Sequence, residues 1–149
     1  MPWSLLRQIG SRLGGAFKDA AKALGTGKAL NRHKGVSGET QAYHFLRGSG
    51  YKVVARNYRR RFGEIDLVAW DRDVLAFVEV KYRTRGEHGR PEEAVTPSKQ
   101  RQICRVAREY RTRHRLHDIN YRFDIVAIQE SATQGKARLI KDAFKDYRR

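Results

Sequence analysis

Three side chains have the types and spacing to do chemistry together: Asp66, Glu79 and Lys81, all within GEIDLVAWDRDVLAFVEVKYR, residues 63–83. The stretch predicts two β-strands, 64–70 and 74–82, joined by the polar turn Asp71-Arg72-Asp73. A turn about the Arg72–Asp73 bond sets Asp66 opposite Glu79 and Glu64 opposite Lys81, all on one face at one end of the hairpin. Directly opposed residues have Cβ atoms about 4.5–5.5 Å apart, and like charges there destabilise a sheet. The remaining residues are apolar on both faces, which predicts a hairpin covered on both sides by helices. Two carboxylates at the end of a buried strand pair are costly unless a cation lies between them. A divalent metal ion, with Lys81 beside it, meets that need. The plainer reading is a solvated edge carrying cross-strand ion pairs. A slip of one residue in register would also separate the acids onto opposite faces.

The totals agree with a polyanionic partner. The 149 residues carry 32 Lys plus Arg against 16 Asp plus Glu, a net charge of +16. An excess of that size points to nucleic acid or an anionic membrane surface. Arginine dominates the basic residues of the second half, and its fork suits phosphate better than a lysine point charge does. The single cysteine, Cys104, excludes an intramolecular disulfide and a cysteine-based zinc cluster, as expected in a reducing cytoplasm. No run approaches the roughly 18 apolar residues of a membrane span.

The elements that must position the acids follow from pattern and capping. Residues 1–34 read as a basic extension, in which Leu6, Ile9, Leu13 and Phe17 fall at helical spacing but Gly10, Gly14 and Gly15 weaken the helix. Contact of this extension with a membrane is not the expected role. Residues 35–149 read as the folded domain. Ser37 can cap a helix running to Gly48, with Ala42, Phe45 and Leu46 facing the core and Glu39 on the same stripe. An acid in a first helical turn ordinarily gains about 0.3–1 kcal/mol from the helix dipole and does nothing else. Residues 51–57 predict a strand, and 58–62 a basic loop in which Arg59, Arg60 and Arg61 could grip phosphates. Arg83 and Arg85 follow the hairpin. Thr96-Pro97 predicts a helix start, with Ile103, Ala107 and Tyr110 toward the core, Arg101, Arg105, Arg108 and Arg111 outward, and Lys99 and Gln100 in the first turn. Residues 121–129 predict another strand, and ARLIKDAF a short last one.

The sequence from GETQAYHFLRGSGYKVVARN through the hairpin, GRPEEAV, Lys99 and Arg101 resembles the YraN-like family of small bacterial proteins. That family is similar to restriction-endonuclease-like, PD-(D/E)XK nucleases and Holliday-junction resolvases. The resemblance implies an α/β fold with a central mixed β-sheet flanked by helices. It also implies a metal-dependent nuclease that hydrolyses phosphodiesters in nucleic acid, DNA ahead of RNA and branched DNA among the candidates. Asp66 and Glu79 would then be the metal-binding acids, with the Val80 backbone carbonyl and Glu39 as further ligands for Mg²⁺ or Mn²⁺. Lys81 would be the catalytic lysine. Arg59, Arg60, Arg61, Arg83, Arg85, Lys99 and Arg101 would hold the nucleic acid, and a resolvase would work as a homodimer. Ile65 stands where the motif has proline. A non-catalytic nucleic-acid-binding module of the same fold is the alternative.

Overall fold

The computed structural model describes residues 29–84, 86, 88–130 and 136–146, with the helical backbone alone for 29–37. Arg85 and the pattern assigned to residues 1–28 lie outside the described residues. The chain divides into two units, Met1–Arg32 and His33–Arg149, and the sheet belongs to the second.

Helix α1 (Ala29–Gly48) leads into β1 (Lys52–Arg60), β2 (Gly63–Asp71) and β3 (Val74–Arg83). A 3₁₀ turn (Pro91–Ala94), helix α2 (Pro97–Arg113), β4 (Tyr121–Gln129) and β5 (Lys136–Phe144) complete the order. The strands form one mixed sheet in sequence order. β1, β2 and β3 pair antiparallel, β3 and β4 pair parallel through the α2 crossover, and β4 and β5 pair antiparallel. The expected helix-flanked mixed sheet is the observed one. None of the helices among the described residues is long and apolar enough to cross a membrane.

The hairpin register is the expected one, from Asp71↔Val74 through Val68↔Phe77 to Leu67↔Val78. Alternation then sorts the core into two layers. On one face Ala42 and Leu46 of α1 pack with Tyr51, Leu67, Ala69, Ala76, Val78, Val126 and Ile128. On the other, Tyr110 of α2 meets Phe77 edge to face at 5.7 Å, and Phe123 stacks on Phe144 at 4.9 Å. Ile103, Cys104, Val106, Ala107 and Tyr110 are all buried, so Cys104 serves the core. Full burial of each large apolar side chain is worth about 1.5–3 kcal/mol. At the turn end of the hairpin, Arg122 bridges Asp71 at 2.6 Å and Asp124 at 2.9 Å, and Lys141 adds a second cation to Asp71.

Two boundaries differ from the sequence reading. α1 begins at Ala29, so Ser37 lies inside the helix rather than at its start. A lone glycine costs a helix only about 1 kcal/mol, and Gly35 does not stop it. Glu39 therefore sits mid-helix, where the dipole no longer accounts for it. β1 runs on to Arg60, so Tyr58, Arg59 and Arg60 are strand residues and the connection shrinks to Arg61 and Phe62. Arg56 lies over the Tyr43 ring of α1, yet Tyr58, two residues on, meets Tyr110 of α2. Asn57 between them has φ 51°, and this left-handed residue breaks the alternation and turns Tyr58 toward α2.

Entry into β2 is set at Gly63, which has φ 150° and lies so close to α2 that an added Cβ would sit 2.4 Å from Gln102 Cγ. Gly63→Ala should destabilise the domain by about 1–3 kcal/mol, the usual cost of overpacking, measured by urea unfolding. Gln102→Ala in the same chain should restore only part of the loss, because removing the clash leaves the backbone strain in place.

Candidate functional site

The two acids stand where the β2–β3 ladder ends. Past Leu67↔Val78 the next link is made by a side chain, since the Val80 N–H donates to Asp66 Oδ2 at 2.7 Å. That bond fixes the carboxylate beneath β3 and places it beside Glu79. Asp66 is 9% exposed and Glu79 4%. Glu79 Oε1 meets Lys81 Nζ at 3.0 Å and Lys99 Nζ at 3.5 Å, while its Oε2 is buried without a hydrogen-bond partner.

Electrostatics follow from this packing. Burial first, and the Glu79 charge second, raise the Asp66 carboxyl to about 7. Glu39 pushes the same way, whereas the Val80 N–H and Lys99 oppose the shift. Glu39 is thus within electrostatic reach of Asp66, from a half-buried position on α1. Gly38 permits it: a Cβ there would lie 3.2 Å from Tyr82 Cδ2, so α1 rides close on β3 beside Lys81.

The donor set fits a hard divalent cation. A buried carboxylate oxygen has no partner, and the neighbouring carboxylate resists ionisation because it is buried beside Glu79. The described residues contain no group of three or more His, Cys, Asp or Glu side chains placed to hold a metal. The protein would therefore supply two carboxylates, helped by backbone carbonyl and water, with Glu39 at longer range.

Glu64 does not face Lys81. It pairs with Arg59 of β1 at 3.0 Å, and Lys81 instead reaches Glu79 two residues back on its own strand. The cause is the end of the ladder, past which Glu64 and Lys81 are not paired across the hairpin. Among the basic residues, Lys99 reaches into the site from the first turn of α2, where Thr96 Oγ1 accepts its backbone N–H at 3.3 Å. Arg60 is engaged with Glu109 and Tyr58, and Arg83 donates to the Gly89 and Arg90 carbonyls at 2.6 and 2.9 Å. Arg59, Arg61 and Arg101 are exposed.

The sequence placed Lys99 at a helix start but gave no sign that its ammonium shares Glu79 with Lys81. Two more buried acceptor oxygens were also missed, Glu92 Oε2 and Gln100 Oε1, both without a partner. GRPEEAV was the only signal for the first.

The model of the uncharacterised protein family UPF0102 matches residues 38–128, a span that takes in Glu39, Asp66, Glu79, Lys81 and Lys99. Similar proteins include the UPF0102 protein of Lachnoclostridium phytofermentans, 47% identical over 76% of this chain and 94% of the relative. That of Syntrophus aciditrophicus is 43% identical over 77% and 91%, and that of Symbiobacterium thermophilum 46% over 77% and 98%.

The metal-free site should cost stability. Asp66 holds its proton longer folded than unfolded, so the domain loses stability as pH rises from about 4 through about 7. Asp66→Asn keeps an acceptor for the Val80 N–H and removes the charge. In EDTA at pH 8 it should raise stability by on the order of 1 kcal/mol and flatten that slope. Denaturant melts across the pH range test both.

Proposed function

Since the chain belongs to the uncharacterised protein family UPF0102, we propose, from its own residues, that it is a metal-dependent nuclease of the restriction-endonuclease-like, PD-(D/E)XK kind. The observation that carries this is the partnerless Oε2 of Glu79, buried beside Asp66, while two ammonium groups hold Oε1. A structural ion pair has no use for a second buried carboxylate whose charge is disfavoured there.

Asp66, Glu79 and the Val80 carbonyl would hold Mg²⁺ or Mn²⁺, with Glu39 completing the set directly or through water. Once bound, the ion supplies Lewis-acid charge and a more acidic water. Lys81, 27% exposed beside Glu79, orients the attacking water by hydrogen bonding and shields the charge that grows on the phosphoryl oxygens. Lys99 approaches from the opposite wall and holds a non-bridging phosphate oxygen. Water forms the new P–O bond and gives up a proton to solvent, while the ester P–O bond breaks and the leaving oxygen takes a proton from solvent. DNA is the favoured substrate and the cytoplasm the favoured location. Cutting both strands of a branched DNA would need two copies of the site, hence a homodimer.

One observation favours a module that binds nucleic acid without cutting it: Lys81 and Lys99 already balance Glu79 without a metal. A labelled panel of four-way junction, flap, duplex and single strands, with Mn²⁺, Mg²⁺ or EDTA, separates the readings. Wild type should cut in Mn²⁺ and not in EDTA. Asp66→Ala, Glu79→Ala and Lys81→Ala should each lower the rate by about 100-fold or more, and Lys99→Met by about 10-fold or more. Tight binding by wild type and all four variants, with no product in any metal, would establish the binding module instead.

A further inference from the structure

We propose that a nucleic-acid backbone lies along the outward face of α2, gripped by Arg101, Arg105 and Arg61, and that Arg60 and Arg83 take no part. The proposal rests on the nuclease reading for its partner and deepens it by giving the substrate a path to the site.

The arginines divide by what already holds them. Arg60 is bound to Glu109 at 2.9 Å, and Arg83 fastens the chain at Gly89 and Arg90. Arg111 donates to the Leu116 and His117 carbonyls and lies 4.0 Å from the Tyr121 ring centroid. Arg108 pairs with Asp146 at 3.1 Å. These guanidinium groups serve the fold, and a phosphate could use them only by breaking it.

The side chains of Arg101 and Arg61 are exposed and make no hydrogen bond or ion pair among the described residues. Arg105 is exposed, its side chain makes no hydrogen bond or ion pair among the described residues, and its guanidinium carbon lies 4.9 Å from the Phe62 ring centroid. Arg101 and Arg105 stand four residues apart, so they project from the same side of α2 about 6 Å apart along its axis. The Arg61-Phe62 connection is held against that side twice, by the Arg105–Phe62 contact and by Gly63 against Gln102. The strip is therefore built as a unit. Its Gly63 end leads into β2, which carries Asp66 three residues on. Arg101 stands two residues, just over half a turn, from Lys99, whose ammonium is in the site. Other exposed arginines, such as Arg72 in the hairpin turn and Arg138 on edge strand β5, have no such connection to the acids. Charge complementarity and guanidinium geometry select a phosphodiester backbone as occupant.

The test uses the full chain and labelled duplex DNA in EDTA, with affinity measured across a salt series. Each phosphate contact contributes about 0.9 to the slope of log K against log salt. Arg101→Gln with Arg105→Gln should lower that slope by about 2, and Arg61→Gln by about 1. Arg72→Gln with Arg138→Gln removes the same charge elsewhere and should leave the slope nearly unchanged. Equal losses in both pairs, an unchanged slope in the first pair, or no DNA binding by wild type would each overturn the proposal. So would loss of binding to phosphatidylserine vesicles, but not to DNA, in the first pair, which would make the strip a membrane surface. Because no metal is present, the result is independent of cutting. Cleavage with an unchanged slope removes this path alone, and a lowered slope without cleavage in Mn²⁺ removes the nuclease reading alone.

Discussion

Two carboxylates are buried side by side at the point where two strands stop pairing, and most of the domain can be understood as what makes that tolerable. Asp66 replaces the missing ladder bond by accepting the Val80 N–H. Glu79 is neutralised on one oxygen from its own strand and from α2. Neither device satisfies Glu79 Oε2. The sheet carries this local cost because the layers above and below it are apolar and well filled, with Leu67, Val78, Phe77 and Ile125 almost fully buried around the acids.

The two helices divide the labour unequally. α1 supplies apolar cover and brings Glu39 near at the one place where Gly38 lets it approach Tyr82. α2 supplies cover through Tyr110 and its neighbours, an ammonium inward through Lys99, and guanidinium groups outward through Arg101 and Arg105. One helix thus closes the core, completes the acid cluster and presents charge to solvent.

Much of this was legible in the sequence, for definite reasons. The hairpin register could be read because strands have a period of two and both flanks of the short turn are unbroken apolar runs. The helix-flanked mixed sheet followed from the same runs. The core stripe of α2 was readable because a threonine cap and a proline fix where the helix begins. Less legible was anything decided by a single backbone angle or a long side chain. The left-handed Asn57 carries Tyr58 to the other face, and no pattern announces it. The end of the ladder past Leu67↔Val78 sends Lys81 to Glu79 and leaves Glu64 to Arg59. The start of α1 is less legible because Ser37, a residue type that favours helix caps, lies where the helix is already under way.

The parallel pairing of β3 with β4 has a consequence for how the site comes into being. A hairpin can close as soon as its two strands exist, but parallel neighbours must wait for the whole crossover between them. β3 therefore has one edge open until α2 has been made and β4 has returned. Until then Glu79 lacks both its wall and its second ammonium. The acid cluster is complete only once contacts across that crossover are made. A nascent or partly unfolded chain carries the acids, but not the enclosure that buries them side by side.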